Sequence, residues 1–166
     1  MKRVAVTGLG VISPVGNDVP TFWNALCSGT CGIGPITKFD ATDYPVKLAA
    51  EVRDFDPRQC MEKLDILHSD VYTHFAMAAA CQAVADSGIA GTLDAERVGV
   101  YIGSGIGGIA TFMTEHSKLL NRGPRRVSPY FIPMMIPNMA SSMIAMRYHF
   151  HGPAMPMVTA CASGTN

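Results

Sequence analysis

The chain has 166 residues, 48% hydrophobic and 16% charged, with 13 basic side chains against 13 acidic ones. That length suits a single domain and that composition can bury a core, so a globally disordered chain is excluded. Zero formal net charge removes the basic footprint that non-specific nucleic-acid binding requires.

Residues 2–7 read as a short buried strand, stopped by Gly8 and Gly10. Asn17 or Asp18 can cap a helix whose Phe22, Trp23 and Leu26 recur at helical spacing, with Gly29 ending it. Residues 46–52 are a second strand candidate. The clearest helix covers 70–87, with Val71, Phe75, Ala78, Ala79, Gln82 and Ala83 at helical spacing and Gly88 placed to close it. Its many alanines predict close packing against a sheet or another helix. Residues 97–102 form a third strand, and the glycine cluster 103–108 leads into a helix over 109–120. A proline-rich connection through Arg125, Ser128, Pro129 and Pro133 follows. Asn138 can cap a helix to about Tyr148, residues 155–159 read as a last strand, and another helix is expected to begin near Gly164. Alternating strands and helices predict an α/β domain over 1–166 with a mixed, mostly parallel sheet and helices on both faces.

No membrane span is predicted, because the most apolar stretch, 131–146, is cut by Pro133, Pro137 and Asn138. Gly8, Gly10, Ser13 and Pro14 likewise break any secretory leader. The five cysteines, an odd number without paired CxxC spacing, read as free thiols in a reducing, cytoplasmic compartment. Five histidines without HExxH or H-x-E spacing give no metal site. His149 and His151 read as surface or cap residues. The methionines from Met134 to Met146 read as core or interface, and Arg122, Arg125 and Arg126 as a solvated basic loop that could meet an acidic partner.

Two segments carry chemistry. Residues 103–108 satisfy G-x-G-x-x-G between a strand and a helix, the spacing of a dinucleotide fingerprint. They follow the third strand rather than the first, and no acidic residue ends a strand about 20 residues on, so a glycine turn for close packing or substrate approach is the better reading. Residues 158–164 place Cys161 just after a strand among Ala160, Ala162 and Gly164. Small neighbours permit a sharp turn that exposes a nucleophile beside backbone N–H donors, and a helix start there would favour the thiolate. The bland alternative is a buried structural cysteine. Cys27, Cys31, Cys60 and Cys81 read as structural.

These segments resemble the β-ketoacyl-acyl-carrier-protein synthases of the condensing-enzyme family, and look most like the type II enzymes of fatty-acid and polyketide synthesis. The resemblance rests on 3–10 with 13–17, the glycine turn 103–108, Ser128 to Pro133, Gly152-Pro153, and Thr159 to Gly164 in order. It implies a thiolase-like fold of two similar halves, usually assembled as a homodimer. This chain would be the N-terminal portion, incomplete at its C-terminal end. Cys161 would take an acyl group from the phosphopantetheine thiol of an acyl-carrier protein. Decarboxylation of a malonyl-carrier would then give the carbanion that attacks the thioester. The resemblance implies no bound cofactor, and places Ile106 beside the acyl pocket and Phe131 at the subunit interface.

The family's two catalytic histidines and a lysine fall beyond residue 166, and 64–75 lacks the arginine-rich start expected of that region. Cys161 argues against the chain-length-factor subunits, which lack this cysteine. The expected function is therefore decarboxylative condensation by a protein of which this chain holds the nucleophile. The alternatives are a non-catalytic fragment or partner of a full-length synthase, and a thiolase or acyltransferase using Cys161.

Overall fold

Asp70 opens the longest helix of the computed structural model, which describes residues 3–165. Its carboxylate accepts the Tyr72 N–H and caps helix α3, Val71–Ser87, which ends at Gly88 in the left-handed conformation. Both boundaries follow from the sequence, because a carboxylate satisfies orphan N–H groups at one end and glycine tolerates positive φ at the other. The remaining helices are α1 (Val19–Cys27), α2 (Lys63–Leu67), α4 (Ile109–Arg122), α5 (Phe131–Met135) and α6 (Met139–Tyr148). Asp18 rather than Asn17 caps α1. Asn138 precedes α6, but it is the Asn138 carbonyl, not its side chain, that bonds into the helix.

The core is small. Met77 and Ala78 of α3 meet Ile144 and Ala145 of α6, with Val100 beneath and Cys60 and Met61 beside them. Ala140 and Ser141 of α6 are fully enclosed, so the small side chains that the sequence places on these helices do let α3 and α6 pack closely.

The described strands form two pairs. β1 (Ile33–Pro35) runs antiparallel to β2 (Leu48–Ala50), and β3 (Val100–Gly103) runs parallel to β4 (Ala154–Met157) with Val100 opposite Ala154. Helix α6 lies against both β3 and β4. The strand expected over 46–52 contracts to three residues, and that expected over 155–159 shifts to Ala154–Met157.

The opening strand is corrected: among the described residues, 3–7 pair with no other strand, and Val4 and Val6 stand 95% and 79% exposed. The physical reason lies just downstream. Asp86 and Gln82 of α3 take the Leu9 and Val11 N–H groups, so this part of the chain follows a helix rather than a sheet edge. A groove of about 520 Å³, lined by Gly10, Ala79, Tyr101 and Ser104 among others, opens between it and β3. Lys2, the first residue of that expected strand, and Asn166 lie outside the described residues. The expected helix start near Gly164 is also absent among them, since 163–165 continue as turns.

The molecule exposes 11338 Å², against the roughly 7,900 Å² that surface scaling gives a compact monomer of this mass. Trp23, Phe112, Met113 and Leu120 contribute to that excess.

Candidate active site

β3 and β4 are parallel, so their carboxyl ends emerge on the same side, where open α/β sheets usually hold their ligands. Each end leads directly into one of the two segments that the sequence singles out.

After β4 the backbone turns at Ala160, whose φ is 50°, into a three-residue 3₁₀ turn, Ala160–Ala162. The Cys161 thiol is exposed at the middle of that turn. Among the described residues no acceptor takes the Cys161 N–H, which leaves it available as an oxyanion donor. Ser163 is buried beneath the turn. Its hydroxyl accepts the Thr159 N–H at 2.9 Å and donates to the Ala160 carbonyl at 2.8 Å.

After β3 the chain enters the glycine turn. The Ser104 N–H donates to the Met157 carbonyl at 3.0 Å, and the Ser104 hydroxyl accepts the Gly107 N–H at 3.0 Å. Gly107 has φ 73°, and a Cβ there would stand 2.5 Å from the Met135 carbonyl oxygen; the Gly108 N–H donates to that same carbonyl at 2.8 Å. At Gly103 a Cβ would stand 2.4 Å from the Ser163 carbonyl oxygen. These glycines serve close backbone packing, the reading preferred over nucleotide binding. Ile106 projects from the tip, 63% exposed, while Gly105 beside it lies against Ala160. The turns bearing Cys161 and Ile106 are therefore neighbours.

Phe131 begins α5, at the opposite end of that helix from Met135. It is half-buried, with its ring centroid 6.2 Å from that of Phe112. Phe131 thus shares a short helix with the anchor of the Ile106 turn, and its ring contact is with α4.

Three supporting groups escaped the sequence reading. Asp70 Oδ2 accepts the Thr111 N–H at 2.9 Å and its hydroxyl at 2.6 Å, bolting the start of α3 to the start of α4. The Tyr72 hydroxyl donates to the Ile136 carbonyl at 2.5 Å. Buried Glu115 accepts the Ser128 N–H at 2.7 Å and pairs with Lys118, tying the chain before Phe131 to α4. The Lys118 ammonium, and then the Ser128 N–H, hold the Glu115 carboxyl below its ordinary range. Apart from the Glu115–Lys118 pair three positions apart, no local sequence pattern marks these groups, because their partners lie 13, 41 or, for Tyr72, 64 positions away.

The other thiols and histidines play lesser parts. Cys60 is buried in the core, and burial pushes its thiol up, which makes it inert. His149 occupies the left-handed end of α6, and His151 Nδ1 lies 3.0 Å from Glu96 on the surface. Among the described residues no group of three or more His, Cys, Asp or Glu could hold a metal ion, and no helix is long and apolar enough to cross a membrane.

Comparison with known proteins adds the family. The profile of the beta-ketoacyl synthase N-terminal domain matches residues 1–166. A 3-oxoacyl-[acyl-carrier-protein] synthase 2 of Coxiella burnetii is 49% identical over 164 residues, covering 98% of this chain and 40% of its own. The same-named protein of Staphylococcus aureus is 45% identical over 166 residues. This chain thus spans about 40% of the length of those relatives.

Among solved structures, a beta-ketoacyl synthase from Burkholderia phymatum superposes with a TM-score of 0.83 at 25% identity, covering 99% of this chain and 41% of that one. A type II PKS acyl-carrier protein in complex with its ketosynthase gives 0.82 at 24% identity, covering 99% and 44%. The ishigamide ketosynthase/chain length factor gives 0.77 at 27%, covering 93% and 39%. The likeness establishes the thiolase-like α/β fold.

Proposed function

Starting from a chain that belongs to the beta-ketoacyl synthase family and represents its N-terminal domain, we propose that it is the acyl-loading portion of a β-ketoacyl-acyl-carrier-protein synthase. Cys161 is the nucleophile. Its sulfur attacks the thioester carbonyl of an acyl chain on the carrier's phosphopantetheine, forming a new S–C bond. The tetrahedral intermediate collapses by breaking the old S–C bond, and the carrier thiol departs with the proton. The Cys161 N–H holds the oxyanion meanwhile. Condensation follows when malonyl-carrier loses carbon dioxide and its carbanion displaces the Cys161 thiolate. The resemblance assigns that second step to histidines beyond this chain. No metal or bound cofactor takes part, since the reacting thiol of the partner arrives on the carrier.

The observation that carries this reading is the exposed Cys161 thiol on a turn at the carboxyl ends of two parallel strands, beside the Ile106 turn. Ile106 lines the acyl pocket, and Phe131 meets a second subunit, either a copy of the same chain or a related synthase. The carrier-bound ketosynthase among the structural neighbours supports an acyl-carrier protein as partner. Three exposed free thiols, Cys27, Cys31 and Cys161, favour a cytoplasmic setting.

The second reading is a non-catalytic partner of a full-length synthase. Intact-protein mass spectrometry after incubation with an acylated carrier protein decides between them. Acyl mass on the wild type and none on Cys161→Ala supports acyl loading. No adduct on a folded wild-type chain leaves the partner reading.

A further inference from the structure

Ser163 is a polar side chain 6% exposed inside a run, 160 to 165, whose other residues are all exposed. Its hydroxyl reaches across Cys161, accepting a hydrogen bond from the Thr159 N–H on one side and donating one to the Ala160 carbonyl next to the thiol-bearing residue. Ala160 meanwhile holds φ 50°, a conformation that a side chain beyond glycine resists. The backbone beneath is pinned as well, because Gly103 at the end of β3 leaves no room for a Cβ against the Ser163 carbonyl.

We propose that Ser163 is a positioning residue for the nucleophile: its hydroxyl straps the two ends of the turn together, holds Ala160 left-handed, and so presents the Cys161 thiol outward. The proposal rests on the reading of Cys161 as nucleophile and adds a residue that works through it without touching the substrate. When the strap is lost, Ala160 relaxes to negative φ and the thiol turns in toward the end of β3.

The test is alkylation of the full 166-residue chain by iodoacetamide, followed peptide by peptide, with the exposed Cys27 and Cys31 thiols as internal references. Ser163→Ala removes two hydrogen bonds and lowers the Cys161 rate relative to Cys27 roughly 5- to 30-fold, the factors that one and two net hydrogen bonds are worth. Ser163→Thr keeps the hydroxyl and stays within about twofold of wild type. Adding Ala160→Gly to Ser163→Ala restores the rate, because glycine adopts φ 50° without help. Wild-type labelling in Ser163→Ala overturns the proposal, and so does a folded double variant as slow as the single one. Should Ser163→Ala fail to fold, Ala160→Val puts a β-branched residue at positive φ with the hydroxyl intact; slowed labelling there supports the strap and unchanged labelling overturns it. No carrier protein enters this assay. The acyl-loading reading and the strap can therefore fail separately.

Discussion

At Ala160 a left-handed backbone costs roughly 1–2 kcal/mol, and the two hydrogen bonds of the Ser163 hydroxyl, at about 1 kcal/mol each, are of the size that offsets it. Gly103 tests the same junction from the other side. In Gly103→Ala the added methyl meets a backbone oxygen, which cannot rotate away as a side chain could. We expect a loss of about 1–3 kcal/mol by urea denaturation, together with slower loading of Cys161; an unchanged midpoint would mean that the turn is not packed on β3. The sequence made Cys161 conspicuous through its small neighbours. Ser163 was hidden because a serine two positions on reads as one more small residue until its two partners are located.

Between elements, side chains at helix ends carry the load. Asp70 caps α3 and holds Thr111 of α4, so Asp70→Ala removes a cap worth about 1 kcal/mol and strands a buried N–H at about 1–3 kcal/mol more. Guanidinium melts should place the combined loss near 3 kcal/mol; Asp70→Asn, which keeps a carbonyl acceptor, should recover part of it. Glu115 makes the link between α4 and the chain before Phe131 sensitive to pH. Its carboxyl is held below the ordinary 4.5, so the stabilisation is fully present above that value and is lost as pH falls through the lowered folded value. The melting temperature of Glu115→Gln should therefore fall less steeply than that of the wild type below pH 4.5; parallel curves would remove Glu115 from the account. α1, α3, α4 and α6 were legible because caps and periodicity are local signals. α5 was not, because Pro133 reads as a breaker, although the third residue of a helix has no N–H bond to lose. The pairing of β1 with β2 was missed because three residues of Ile-Gly-Pro offer no alternation to read.

For the molecule as a whole, exposed surface outweighs core. The excess over a compact monomer is of the order of an obligate interface, roughly 2,000–5,000 Å², and it includes Trp23, Phe112 and Leu120. Sedimentation velocity on the 166-residue chain should show self-association that rises with concentration; a single monomer boundary with a sharp, concentration-independent melt would contradict that. The sequence could not yield this surface, nor the failure of residues 3–7 to pair, because both depend on which elements lie alongside rather than on local pattern. The parallel pairing of Val100 with Ala154 carries a consequence for time rather than energy. The first ladder bond must wait for the whole intervening stretch to be made and gathered, since parallel strands admit no tight turn between them. On a ribosome, β3 would emerge long before its partner and remain an unpaired edge for that interval. The turn bearing Cys161, built on the end of the second strand, cannot take shape before that pairing, so its thiol is displayed only after the stretch between β3 and β4 has been made and gathered.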